Sequence, residues 1–442
     1  MGLYIKDNIV ALATPRGIGA LALIRVSGQN LSSLFEKLTS IKKPTPRYAY
    51  YSKIKSKTGG VLDNVIITFF KGPKSFTGED ILEISCHGGQ AISELLINEI
   101  ISLGCRLALP GEFSKRAYLN RKIDLTQAES IGFLTGASAP IEAQSGIMAF
   151  EGETKKSINN IKELLNGLLL IIEHELDFTE DEINYTRQSE IRKNLQETIT
   201  LLQGLVSGGR SINKISKGFR VCIVGKPNAG KSTLFNKILG YDKVVVSSEK
   251  GTTRDSVEAQ IELNNNLFTL IDTAGYWKGK DRLDRLGIKK TKEEVEKSDI
   301  VVVLDEKNPK DFAKNIKNIN KKICIYVTSK SDLNKIKQKN ASEIKISSIK
   351  GRGIDRLLTS LSTVVKNNFI AENSYITSNR QIVLLEGALL IIKKAHDNLE
   401  FVDMAQLSSL LREALDRLED IIGRVNNEDV LNKIFGEFCV GK

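Results

Sequence analysis
The chain has 442 residues, 41% hydrophobic and 26% charged, with a net charge of +11. That length exceeds what one hydrophobic core supports and sets an expectation of two or three domains. Five scattered cysteines (Cys86, Cys105, Cys222, Cys324 and Cys439) without a Cys-x-x-Cys pair argue against a disulfide framework or a zinc ribbon, and three histidines at no ligand spacing argue against a His-based metal site.

From residue 1 to about 120, strand-like runs (Ile9–Ala13, Ala20–Val26, Val65–Phe70, Ile81–Ser85) alternate with helical patterns at Leu31–Leu38 and Ala91–Ser102. This reads as an α+β domain. His87 beside Cys86 reads as a loop or packing pair. From about Leu125 to Val206 apolar residues recur at three- and four-residue spacing, the mark of helices, until Ser207-Gly208-Gly209 breaks the pattern. The most apolar stretch, Leu164–Ile172, is interrupted by Asn166 and Gly167 and is far shorter than the ~20 residues of a membrane span. It reads as a buried amphipathic helix. The N-terminus, with Lys6 and Asp7, lacks the apolar core of a signal peptide. A cytoplasmic protein without membrane attachment is expected. Short apolar strands alternate with helices from Phe219 to Val365, as in a doubly wound α/β domain, and helical patterning returns at Gln381–Leu399, Ala405–Ile422 and Asn427–Phe435. The expectation is multidomain: an α+β N-terminal domain (1–120), an all-α domain in two parts (121–215 and 371–442), and an α/β phosphate-loop domain (216–370) inserted between them.

The sharpest signal lies at the start of that insertion. The strand Arg220–Val224 runs into Gly225-x-x-x-x-Gly230-Lys231-Ser232, and Thr233–Leu239 reads as a helix. Glycines let such a loop wrap so that its N–H groups point at phosphate oxygens, and the helix N-terminus adds a favourable dipole. Lys231 is expected on the β- and γ-phosphates and Ser232 on Mg²⁺. Asn228, Ala229, Gly230 and Thr233 complete this loop's share of the nucleotide site. Further on, Gly251-Thr252-Thr253-Arg254-Asp255 supplies a switch threonine, with Thr253 chosen to close on Mg²⁺. A strand ends in Asp272-Thr273-Ala274-Gly275, where Asp272 holds Mg²⁺ through water and the Gly275 amide senses the γ-phosphate. Another leads to Ser329-Lys330-Ser331-Asp332, whose aspartate can accept both N–H groups of guanine, and Ser347-Ser348 offers amides to the guanine oxygen. Each short motif alone is weak. In this order they specify a GTP-hydrolysing protein. Ser329 stands where the guanine motif usually has Asn, and Tyr276 and Trp277 stand where Ras-like enzymes carry a water-orienting glutamine. Catalysis then draws on another group, a cation or a partner surface.

The residues outside these motifs resemble the MnmE (TrmE) family of tRNA-modification GTPases along the whole chain. The likeness rests on Asp7-Asn8-Ile9-Val10-Ala11, Leu23-Ile24-Arg25-Val26-Ser27-Gly28, Ser75-Phe76-Thr77-Gly78-Glu79-Asp80, Cys86-His87-Gly88-Gly89, Pro110-Gly111-Glu112-Phe113-Ser114, Leu119-Asn120-Arg121-Lys122-Ile123-Asp124-Leu125 and the terminal Phe438-Cys439-Val440-Gly441-Lys442. The resemblance implies a homodimer acting with an FAD-binding MnmG (GidA) partner on carbon 5 of the wobble uridine of certain tRNAs. The carbon comes from 5-formyl- or 5,10-methylenetetrahydrofolate. It implies Arg25, Glu83, Lys122 and Lys442 as folate contacts. It implies K⁺ activation, with Asn228, Ser247, Glu249 and Thr252 around the ion and Ser247 also in the nucleotide site. It implies a catalytic carboxylate after Gly275, for which Asp284 is the match, one methylene shorter than the family's glutamate and with Asp281 as its rival. Catalytic roles thus fall to Lys231, Thr253 and Asp284. Cys439 reads equally as a buried or a reactive thiol. A regulatory GTPase switch of ribosome assembly would also explain the GTPase motifs and the basic charge, but neither residues 1–120 nor the terminus. A folate enzyme merely regulated by GTP is a third reading.

Overall fold
The computed structural model describes residues 7–177, 188–242, 244–246, 257–264, 266–273, 291–316, 319–333, 344–369, 375–423 and 428–441. In chain order it begins β1 (Asn8–Leu12), β2 (Leu21–Gly28), α1 (Leu31–Thr39), β3 (Ala49–Lys55), β4 (Val61–Phe70), β5 (Asp80–His87), α2 (Gln90–Ser102), β6 (Cys105–Leu107), α3 (Glu112–Leu119), α4 (Leu125–Gly136), α5 (Pro140–Phe150), α6 (Glu153–Asp177) and α7 (Gln188–Lys217). Then come β7 (Phe219–Gly225), α8 (Lys231–Leu239), β8 (Val245–Val246), β9 (Val257–Leu263), β10 (Asn266–Asp272), α9 (described over 291–297), β11 (Ile300–Asp305), α10 (Pro309–Ala313), β12 (Ile323–Thr328), β13 (Ile344–Lys345), α11 (Ile354–Phe369), α12 (Asn379–Asp397), α13 (Met404–Ile422) and α14 (Glu428–Gly436). The chain divides into two compact units. The first is Met1–Gly136, Ile147–Ile199 and Leu384–Lys442, and the second is Ala137–Gly146 and Thr200–Val383.

The first unit holds a six-stranded sheet in the order β3-β4-β5-β2-β1-β6. Strand alternation places Val10, Ile24, Val26, Val65, Ile67, Leu82 and Ile84 in one core with Leu34, Phe35 and Leu38 of α1 and Leu96 and Ile100 of α2. Ile9 and Ala11 of β1 instead join Ala108 and Phe113. A second cluster, Ala117, Ile123, Leu125 and Ala128 with Leu431 and Phe435, ties α3 and α4 to α14. Glycine is obligatory at Gly111 there, because its φ is 63° and a Cβ would stand 2.3 Å from the Phe435 carbonyl. Long α6 buries Ile158, Ile161, Leu165, Leu168 and Ile172 and packs on α13, with Lys162 and Glu419 paired at 3.2 Å. Asn166 and Gly167, which interrupt the apolar stretch, fall on its exposed face.

The second unit carries a seven-stranded sheet, β13-β12-β11-β7-β10-β9-β8. β7 lies parallel to both β10 and β11, β11 is parallel to β12, and β9 returns antiparallel. A parallel sheet flanked by helices focuses the carboxyl ends of β7, β10, β11 and β12 on one edge, where ligands bind in such folds. One sequence expectation is corrected here. Ser207-Gly208-Gly209 does not break the helix, since α7 runs through it to Lys217. A Cβ at Gly209 would meet Ile376 and Ile382 at 2.9 Å, so this glycine serves close packing and not a turn. Among the described residues no helix is long and apolar enough to cross a membrane.

Candidate functional site
β7 ends in Gly225, where a Cβ would lie 2.3 Å from the Leu304 carbonyl of β11. The first glycine of the loop is thus dictated by strand packing. Asn228 adopts φ 64° and Gly230 φ 94°, the left-handed steps that turn the loop back onto α8. Gly230 caps α8 without any side-chain hydrogen bond, so donors of the first turn remain available to an anion. Ala229 is buried and its N–H donates to the Lys226 carbonyl at 3.2 Å. Asn228, Ser232 and Thr233 are exposed on the rim. Lys231 is only 4% exposed, and its ammonium donates to the carbonyls of Gly225 at 2.9 Å and Lys226 at 3.0 Å. Burial lowers the pKa of this ammonium, opposed by the charge of Asp272 at the end of β10. Asp272 is itself buried, and Thr273 spends its hydroxyl on the Ile223 carbonyl at 2.7 Å, which fastens β10 to β7. Exposed Ser232 at the start of α8 and the buried Asp272 carboxylate at the end of β10 are donor types suited to Mg²⁺, a cation that binds through one or two protein oxygens and water.

The guanine motif meets the same edge. The Ser329 N–H donates to the Asp305 carbonyl at 2.9 Å and the Ser331 N–H to the Ile346 carbonyl at 3.0 Å, which draws β12 and the Ser347 turn together. Lys330 has φ 52°, and its ammonium pairs with Glu306 at 2.6 Å. Hydrogen bonding by Ser347 holds the Asp332 carboxyl below the usual range. Asp332 and Ser347 therefore converge, as a guanine reader needs. Ser348 follows, half-buried. Ser329 is 2% exposed, and among the described residues its Oγ has no hydrogen-bond partner.

In the first unit Arg25 and Glu83 face each other across β2 and β5, joined by hydrogen bonds of 2.6 and 3.0 Å. The Arg25 guanidinium lies 5.9 Å from the centre of the Phe76 ring. Lys122 donates to the Pro73 carbonyl at 3.0 Å, and a Cβ on Gly78 would touch its stem at 3.3 Å. One loop, Pro73 to Gly78, thus adjoins Arg25 and Lys122, and Glu83 is tied to it through its pair with Arg25. Cys439 is exposed and carries a free thiol. A Cβ on Gly441 would stand 2.5 Å from the Leu12 carbonyl, so the terminal signature has a packing reason beside β1. Cys86 is buried, and His87, exposed at the end of β5, bonds Asp63 through Nδ1 at 2.7 Å.

Residues 8–122 match the family described as "GTP-binding protein TrmE N-terminus", and residues 125–439 match the "MnmE helical domain". A protein named tRNA modification GTPase MnmE from Francisella tularensis subsp. novicida is 36% identical over 452 residues, covering 100% of both chains. One of the same name from Aliarcobacter butzleri is 32% identical, again over 100% of both. This chain belongs to the MnmE family of tRNA modification GTPases. A crystal structure of Era in complex with MgGDPNP and ribosomal RNA is 24% identical with a TM-score of 0.26, covering 39% of this chain and 66% of that one, a likeness too partial to support anything further.

As a member of the MnmE family the chain is a GTP hydrolase. Ser247, Glu249, Thr252, Thr253, Ala274, Gly275, Asp281, Asp284 and Lys442 lie outside the described residues. Two site-shaping acids escaped the sequence reading. Asp305 at the end of β11 pairs with Lys226 of the phosphate loop at 3.0 Å. Burial alone would raise its pKa, but the N–H groups of Asn308 and Lys307 and the Lys226 ammonium hold it down. Glu306 does the corresponding service for Lys330. The detectable signal was two acids directly after the apolar run Ile300–Leu304, at the carboxyl end of a buried parallel strand.

Proposed function
We propose that this chain is a K⁺-activated GTPase that works with an FAD-binding partner of the MnmG (GidA) type. The pair modifies carbon 5 of the wobble uridine of certain tRNAs, using 5-formyl- or 5,10-methylenetetrahydrofolate as one-carbon donor. The observation that carries this reading is the pairing of two separate sites in one chain of this family. One is the phosphate loop around buried Lys231, and the other is the Arg25–Glu83 pair beside Lys122. In the first, Lys231 offsets phosphate charge, the uncapped start of α8 donates to phosphate oxygens, and Ser232 with Thr253 holds Mg²⁺. Asp332 selects guanine, with Ser347 orienting its carboxylate. No glutamine follows Gly275, so Asp284 is assigned to orient the attacking water. A K⁺ ion held by Asn228, Ser247, Glu249 and Thr252 supplies positive charge where an arginine finger would. The exposed side chain of Asn228, on the rim of the loop, suits that role. In the second site, the Glu83 carboxylate suits pterin N–H groups, while Arg25, Lys122 and Lys442 suit the glutamyl carboxylates. The protein is read as a cytoplasmic homodimer without membrane attachment.

The test is nucleoside analysis of tRNA from a strain lacking this chain. Loss of the modified wobble uridine is the expected result, with co-purification of an FAD protein as its companion. An unaltered nucleoside profile, combined with accumulation of ribosomal precursors, would replace this reading by the ribosome-assembly one.

A further inference from the structure
Beside the turn from α3 to α4, the first unit has a cleft of about 510 Å³ lined by Tyr118, Arg121, Lys122, Asp124, Gln127 and Lys155, among others. That volume is in the range of small-molecule sites. Its polar groups divide into two sets. Asp124 and Gln127 are spent on each other, on Thr126 of α4 and on Phe150 of α5. The Asp124 carboxylate accepts from the Gln127 N–H at 3.0 Å and the Thr126 hydroxyl at 2.6 Å. The Gln127 amide oxygen accepts from the Asp124 N–H at 3.0 Å, and its amide nitrogen donates to the Phe150 carbonyl at 2.8 Å. This is a closed capping box with little left for a ligand. The three cations are the other set. Lys155 sits 3.5 Å from Asp124 and is half exposed. Among the described residues Lys122 has one carbonyl partner, Pro73, for an ammonium with three donors. Arg121 is exposed, and among the described residues its guanidinium takes no hydrogen bond or ion pair. A backbone φ of 56°, with the Arg121 N–H held by the Tyr118 carbonyl at 2.9 Å, fixes it at the cleft.

Two features limit what such a cleft accepts. Its unspent donors are all cationic, so the ligand is an anion. Its wall is continuous with Lys122, whose stem lies against Gly78 in the loop that also carries Phe76 under Arg25. We propose that the cleft holds the extended γ-linked oligoglutamyl tail of a folate, with Lys122 at the first carboxylate and Arg121 and Lys155 at those that follow. The inference rests on the folate reading of the Arg25–Glu83 site and adds to it a preference for polyglutamylated cofactor. A planar guanidinium takes a carboxylate bidentately, and a repeating carboxylate suits a row of cations inside a concave wall. A nucleic-acid backbone would instead call for a broader basic track.

The experiment uses the full-length protein and calorimetric titration with 5-formyltetrahydrofolate as the monoglutamate and as the triglutamate. The triglutamate should bind about 5- to 10-fold more tightly, the scale of two partly exposed ion pairs. In the double variant Arg121→Gln, Lys155→Gln that advantage should vanish while the monoglutamate binds as in the wild type. Both glutamines keep the side-chain stems, and an unchanged melting temperature checks the fold. Equal affinity for the two forms in the wild type, or an undiminished advantage in the double variant, would overturn the tail site and leave the folate reading intact. Failure of both forms to bind the wild type would overturn both. Loss of tRNA affinity in the double variant with the tail advantage intact would assign the cleft to RNA, against the proposal.

Discussion
The two units handle buried charge in opposite ways. In the first, Arg116 is 2% exposed and meets carboxylates on every side: Asp7 at 2.8 Å, Glu112 at 2.8 Å and Glu79 at 3.1 Å. Arg106 adds a second guanidinium on Glu112 at 2.6 Å. Three carboxylates here surround two guanidiniums, each ion facing its opposite, and the charges belong to the fold. In the second, Lys231 is nearly as buried, yet its ammonium rests on two backbone carbonyls, and Ser329 holds a hydroxyl with no partner among the described residues. The pKa directions follow. Burial would raise Glu112, but Arg106, the Leu109 N–H and Arg116 bring it down to about 2, whereas burial lowers Lys231. A buried ion matched by its opposite is structural; a buried cation resting on carbonyls is placed for an anion that arrives from outside.

The largest effect that tests this contrast is Lys231→Ala. GTP hydrolysis should fall by about 10³-fold or more, since the ammonium acts on developing phosphate charge in a dry site. The melting temperature should move far less, because the ammonium's hydrogen bonds go to two backbone carbonyls and Asp272 meets it through its charge alone. Phosphate release assays and thermal melts measure the two, and normal turnover in the variant would remove the phosphate-loop assignment.

Glu112→Gln should do the reverse, sparing hydrolysis and costing the first unit about 3 kcal/mol near neutral pH, because it removes the buried carboxylate that Arg106 and Arg116 share. The pH dependence has a definite sign. The Glu112 carboxyl has its pKa depressed from an ordinary 4.5 to about 2 in the fold. Its contribution is therefore complete above about pH 4.5 and is lost as pH falls toward 2. Denaturation of wild type and variant across that window should show the gap between them closing on acidification. A gap independent of pH would mean that Glu112 acts by packing alone.

A smaller effect is expected from Asp332→Asn, which should shift preference from GTP toward xanthosine triphosphate by roughly 10-fold or more, as the amide can donate to the second ring oxygen. Competitive titration of the two nucleotides decides it, and an unaltered preference would take the guanine reading away from Asp332.

What the sequence revealed follows the same division. The nucleotide motifs were legible because the loop chemistry is local: Gly225, Gly230, Lys231 and Asp332 are each demanded within a few residues of a strand end. The strands with a buried alternate face, β1, β2, β4 and β5, were legible for the same reason. β3 was not, since Ala49–Lys55 buries only Ile54 and reads as polar surface, and β6 is too short for any period. Gly208 and Gly209 misled because a glycine pair usually signals a turn. Here Gly209 answers to Ile376 and Ile382, well over a hundred residues away. The ion-pair cluster of Asp7, Glu79, Arg106, Glu112 and Arg116 was equally hidden, because only the fold brings these residues together. So was the Asp305–Lys226 clamp: composition supplies many lysines and many acids, and only the sheet order says which of them meet.

The smallest expected effect is also the most specific to this chain. Ser329 occupies the place where the guanine motif usually has Asn, and its hydroxyl is buried without a partner among the described residues. An unsatisfied buried hydroxyl costs about 1–3 kcal/mol. Ser329→Ala should therefore leave stability unchanged or slightly raised, and GTP affinity unchanged, if the hydroxyl is idle toward the nucleotide. Ser329→Asn restores a side chain with both donor and acceptor. One recovered hydrogen bond is worth about 1 kcal/mol, so GTP and GDP should bind about 5-fold more tightly, chiefly through slower release. Displacement of a fluorescent GDP analogue measures both variants, with thermal melts alongside. If Ser329→Ala weakened GTP about tenfold, the hydroxyl would be a nucleotide ligand and the second unit would hold one more group placed for its anion. If Ser329→Asn bound no better than wild type while folding normally, Asp332 and Ser347 would carry the base recognition without help from this position.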